Sequence, residues 1–157
     1  MSNTQNINPK QTLAVNGEAV PLAEFNQDTF LQSNKKTTTD YRAAFAQAIG
    51  TTGAIAKIAK MAFGIAGETD DQGNPAPPSD NGHLNNVVLT KDITSVTYPV
   101  ETSVQFEAEI EAGDYTGAIN EVALIDEEDH TAAKMRLLTS KGIDAESGAV
   151  FRWTVEF

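Results

Sequence analysis

Two stretches of the chain alternate strictly between apolar and polar residues. In "ETSVQFEAEI" (101–110), Val104, Phe106, Ala108 and Ile110 share one parity, and Gln105, Glu107 and Glu109 the other. That is the period of an antiparallel strand with one face buried. The C-terminal "AVFRWTVEF" repeats it, with Phe151, Trp153, Val155 and Phe157 on one side and Arg152, Thr154 and Glu156 on the other. The chain is therefore expected to end inside its own sheet, offering Val150 and Phe157 to another chain if that strand lies at an edge. "INEVALID" (119–126) breaks the alternation, because Ile119, Val122, Leu124 and Ile125 put hydrophobes on both faces. It is expected to be a central strand covered on each side. "NVVLTKDI", "SVTYPV" and "AAKMRLL" are further short apolar or β-branched runs, separated by turn residues at the spacing of a sandwich.

Helical spacing occurs near the start. In "TTTDYRAAFAQAIG", Tyr41, Phe45 and Ile49 recur every four residues between an N-cap at Thr39 or Asp40 and the terminating Gly50, which predicts a helix over 40–49. Residues 54–63, "AIAKIAKMAF", fit a strand or a second helix equally by period. Residues 64–83 are dense in Gly, Pro, Asp and Asn, which predicts a loop. Residues 1–38 are rich in Asn, Gln, Thr and Ser and carry only short apolar pieces around Asn16-Gly17, too little to offset their own ordering entropy. The expected fold is mainly β: an antiparallel β-sandwich over 39–157, with one short N-terminal helix and an extended polar N-terminal arm over 1–38.

Charge narrows the partners. Eleven Lys and Arg against 22 Asp and Glu give a net charge of -11 in 157 residues, a surface that repels phosphate backbones and anionic membranes. No nucleic acid and no membrane partner is expected. The chain has no cysteine, so disulfides, thiolate zinc sites and thiol nucleophiles are excluded. No apolar run has the length of a membrane span, and the N-terminus lacks a signal-peptide core, which predicts a protein made and used without Sec export.

Candidate chemistry is sparse. Asp126, Glu127, Glu128, Asp129 and His130 lie between two apolar strands and read as a hairpin tip kept in water. Catalytic carboxylate pairs need unequal environments, which adjacent loop acids do not supply. "ETDDQGN" (Glu68 to Asn74) lacks calcium-loop spacing. His83 and His130 have no partner at metal-ligand spacing, and Gly64, Gly67, Gly73 and Gly82 form no phosphate-binding motif. Lys57 and Lys60 read as a solvated edge rather than a bridge to an acidic subunit. No catalytic, cofactor-binding or metal residue, and no cofactor, is expected. The competing reading, a carbohydrate-binding sandwich or a hydrolase using Asp70, Asp71, Asp126 and Glu128, has little aromatic support, with one Trp and three Tyr in the chain; Trp153 has core parity.

Several ordered blocks carry a resemblance. "AKMAFG", the loop "DDQGNPAPPSDNGHL", "ITSVTYPV", "INEVALID" and the closing "FRWTVEF" together resemble the tail-fibre or tail-collar attachment domain of contractile-tailed bacteriophages and related prophages, over about residues 40–157. The resemblance implies a β-rich virion structural protein without catalysis: a short tail fibre, collar or baseplate adaptor. It would be assembled in the host cytoplasm, dock other phage tail, baseplate or neck proteins, and form a homo-oligomer such as a trimer. It also favours a strand at "KMAFG". Capsid decoration is the alternative within that class. The family domain usually heads a longer fibre, and residues before 39 lie outside its pattern.

Overall fold

The computed structural model describes residues 10–15, 18–20, 35–50, 54–73, 76–79 and 82–157. Two five-stranded antiparallel sheets face each other. The first runs β2 (Glu18–Val20), β1 (Lys10–Val15), β10 (Ala149–Glu156), β7 (Ser103–Ile110), β6 (Ser95–Thr97). The second runs β3 (Lys35–Thr37), β9 (Thr131–Ile143), β8 (Gly117–Asp126), β4 (Ile58–Gly64), β5 (Val87–Asp92). Among the described residues one helix, α1 (Thr39–Gly50), lies between β3 and β4 in chain order. The expected mainly-β antiparallel sandwich is the fold.

The inner faces interlock. Phe106, Ala108, Ile110, Phe151 and Trp153 of the first sheet pack on Met61, Phe63, Val122, Leu124 and Met135 of the second, and the rings of Phe63 and Phe151 sit 4.7 Å apart. Each such fully buried side chain contributes about 1.5–3 kcal/mol. The alternation in β7 and β10 is realised directly: Arg152 and Glu107 are cross-strand partners on the outer face, with Arg152 Nε donating to Glu107 Oε2 at 2.6 Å. β8 is central, between β9 and β4, and is buried on both faces as its pattern requires.

Several expectations change. β10 is not an edge: β1 pairs along it from Lys10↔Glu156 to Val15↔Phe151, so residues 10–15 and 18–20 of the expected arm are strands of the sandwich. The arm positions 1–9, 16–17 and 21–34 lie outside the described residues. The segment 54–63 resolves to strand from Ile58, because it pairs with β8 on one side and β5 on the other. The helix cap lies one residue before the expected pair: Thr38 Oγ1 accepts from Tyr41 N at 3.3 Å and donates to Thr131 O at 2.6 Å. One hydroxyl thus both starts the helix and ties it to β9. Phe157 has core parity but is 65% exposed, since it lies past the end of β10.

Candidate docking surface

The loop after β4 becomes a strap over the outer face of the second sheet. Leu84 from the strap packs with Ala62 of β4 and Ala123 of β8, and Ile125 lies against them. Lys134 of β9 points into this layer and is only 2% exposed. Its ammonium donates to Ser79 Oγ at 2.8 Å and Glu68 Oε2 at 3.2 Å, while Ser79 N donates to the same Glu68 oxygen at 2.8 Å. Arg136 Nη1 donates to Glu68 O, and a Cβ on Gly67, whose φ is +65°, would collide with that guanidinium, so glycine alone fits there. Burial by itself would raise the Glu68 pKa, but the Ser79 N–H and Lys134 outweigh it and hold it below the ordinary range. Glu121 responds in the opposite direction. Burial, then repulsion from Glu68, push its carboxyl up against the pull of Arg136 and Lys134, and its Oε2 has no hydrogen-bond partner.

The suspected acids do not converge. Asp126 lies beside Ile58 at the start of β4, whereas Asp70 and Asp71 sit in the strap that leaves the strand's other end. Asp70 Oδ1 accepts from Gln72 N. Asp126 is buried, and its Oδ1 accepts from Glu128 N and His130 N, both at 2.9 Å, so it organises the hairpin tip from inside. Glu127, Glu128, Asp129 and His130 are exposed there. Lys60 bonds its own chain's Asp129 at 2.7 Å, and Lys57 is exposed. His83 Nδ1 lies 2.5 Å from Thr131 Oγ1. Among the described residues, no group of three His, Asp or Glu side chains could hold a metal ion, and no helix is long and apolar enough to cross a membrane.

Among the described residues, one end of the sandwich is open. A cavity of about 50 Å³ opens between the sheets there, lined by Tyr41, Ile58, Val104, Leu124 and Phe157. α1 lies over it, touching the core through the half-buried Tyr41, whose phenol pKa is raised by burial and by Asp126. The helix buries no residue fully. Phe45 stacks on Phe157 with ring centroids 6.1 Å apart, and Ile49 is 74% exposed. Phe157 N donates to Thr102 O, which joins this end to the β6–β7 turn, where Tyr98 (72% exposed) and Val100 project. Phe45, Ile49 and Phe157 thus leave exposed apolar surface where the helix meets the chain end, the kind of surface that marks an interaction site. Sequence reasoning missed both features. The signal for the strap was available: Glu121, Lys134 and Arg136 take the outward parity of strands whose apolar pattern already demanded a covered outer face. No protein-family model, curated protein or solved structure matches the chain.

Proposed function

We propose that this chain is a structural protein of a bacteriophage virion, a short tail-fibre, collar or baseplate adaptor that holds neighbouring proteins through its uncovered apolar end and performs no catalysis. The observation that carries the docking role is that surface: Phe45, Ile49 and Phe157 are exposed where α1 buries no side chain. A helix of about twelve residues is marginal in water without tertiary cover, so a second protein surface would stabilise it. The phage assignment is supported by the ordered blocks "KMAFG", "ITSVTYPV", "INEVALID" and "FRWTVEF". Three of them build core strands, and "ITSVTYPV" ends in the exposed Tyr98 and Val100. Mass spectrometry of gradient-purified particles, together with antibody labelling in electron micrographs, tests the reading. Fixed stoichiometry in the particle and label on the tail or neck are expected. Absence from particles would overturn the virion role, and label on the head would replace tail attachment with decoration.

A further inference from the structure

We infer that Glu121 gates the strap: with its carboxyl protonated, the first half of the strap, Gly64–Gly73, is held closed on β8 and β9, and with the carboxyl ionised that half is released while the sandwich stays folded. The niche around Glu121 carries the inference. The residue lies between Gly64 of β4 and Arg136 of β9, is only 4% exposed, and its Oε2 has no hydrogen-bond partner. A Cβ built on Gly64 would stand 3.0 Å from Asn86 O, 3.1 Å from Glu121 Oε2 and 3.3 Å from Leu84 Cδ1. Those three atoms therefore line one small space, in which the strap presents a carbonyl and a methyl group to the carboxyl oxygen. An ionised oxygen there meets another acceptor and hydrocarbon, whereas a protonated one is an O–H beside a carbonyl. Asn86 O accepts from Ile65 N at 3.1 Å and keeps a second lone pair for that proton.

The surrounding charges set the direction of the switch. Among the described residues, Glu68 of the strap repels an ionised Glu121, while Arg136 and Lys134 of β9 attract it and the Gly67 N–H donates to it. Both cations are already engaged by the strap: Lys134 with Glu68 and Ser79, and Arg136 with the Glu68 carbonyl. β4 presents only Gly64 at this level, its Lys60 lying farther along beside Ile125. Burial and Glu68 prevail and push the Glu121 carboxyl up, so its contribution to closure is lost as pH rises from the ordinary carboxylate range through the raised value. Glu68 has the opposite sign. Its carboxyl is held low, so its contribution is lost only as pH falls through the lowered value. Closure is firmest with Glu121 protonated and Glu68 ionised. The root of the strap supplies a hinge: Ala66 and Gly67 are consecutive left-handed residues, at φ 77° and 65°, and holding an alanine there stores strain that release relieves.

Hydrogen exchange of the full chain, read by mass spectrometry as protection relative to intrinsic rates, tests the switch from about pH 4.5 to 8. The strap peptide 65–73 is expected to exchange faster than the β7 and β10 peptides, and its protection to fall at least about threefold as pH rises. Glu121→Gln, which cannot ionise and keeps a donor for Asn86 O, is expected to hold the strap protected across the range. A strap that exchanges no faster than β7 and β10, a flat strap profile in the unmodified chain, or the same pH dependence in Glu121→Gln would overturn the proposal. The first two outcomes need only the unmodified chain.

Discussion

The outer faces of the two sheets meet different surroundings, and their strands are written accordingly. On the first sheet the outward residues are Gln105, Glu107, Arg152 and Thr154, paired across β7 and β10 in partial contact with water. On the second, the outward residues of β4, β8 and β9 include Ala62, Ala123, Glu121 and Lys134, all buried beneath the strap. Water solvates a charge on the first face almost without cost. A charge on the second must find a fixed partner, and Lys134 finds Glu68 and Ser79. The cover of the second sheet is thus stabilised by apolar contact and locked in register by a buried ion pair, whereas the outward residues of β7 and β10 stay half exposed.

The contrast breaks most sharply if a charge without a partner is placed under the strap. Ala123, fully buried in β8, changed to Asp is expected to lose about 4 kcal/mol or more in urea unfolding, because the new carboxylate would be desolvated beneath Leu84 while its cross-strand neighbour Lys134 is already bonded to Glu68 and Ser79. Glu109→Ala, outward on the first sheet, is expected to stay within about 0.5 kcal/mol; similar losses at both sites would dissolve the distinction.

Next in size is the latch itself. Glu68→Ala leaves the Lys134 ammonium buried without its carboxylate and is expected to cost about 3–5 kcal/mol, whereas Lys134→Met, which removes the buried charge, is expected to cost clearly less. Equal losses in the two denaturation curves would mean the pair acts only through packing.

Glu121 sharpens the comparison through pH. Its carboxyl is raised in the folded protein, mainly by burial, so the folded state binds the proton more tightly than the unfolded chain. That group's contribution to stability falls as pH rises from the ordinary carboxylate range through the raised value, and the penalty is complete at neutral pH. Glu121→Gln is therefore expected to melt above the parent at pH 7, with the gap closing near pH 4. A gap that widens on acidification would reverse the assignment.

The smallest effect belongs to the first sheet. Arg152→Ala removes a partly exposed pair with Glu107 and is expected to cost about 0.2–1 kcal/mol, less at high salt. A salt-independent loss above about 2 kcal/mol would show that this face is not solvent-screened.

The candidate docking end was only half legible. The spacing of Tyr41, Phe45 and Ile49 announced a helix with an apolar stripe, and parity assigned Phe157 to the core. Phe157 instead lies just past β10, against Phe45 and the β6–β7 turn, a position that depends on where three separate segments meet. The acids of the hairpin tip were legible as a turn, but the inward role of Asp126 was hidden, because which carboxylate in a run folds back onto the backbone depends on the turn's dihedrals, with Asp129 at φ 65°.

The sequence by itself determined the parity of β7 and β10, the two-sided burial of β8, the helix that follows β3 and the mainly-β sandwich, since pleat and helical period are local properties that each segment expresses in its own spacing. Tertiary structure alone decided that β1 closes the flank of β10, that the Gly- and Pro-rich loop is a cover rather than a free connection, and that α1 ends with an unburied face. Each of these depends on groups far apart in the chain, as with Lys134 and Glu68, 66 positions apart. Such contacts form only when the sheets bring their surfaces together, so no local pattern encodes them.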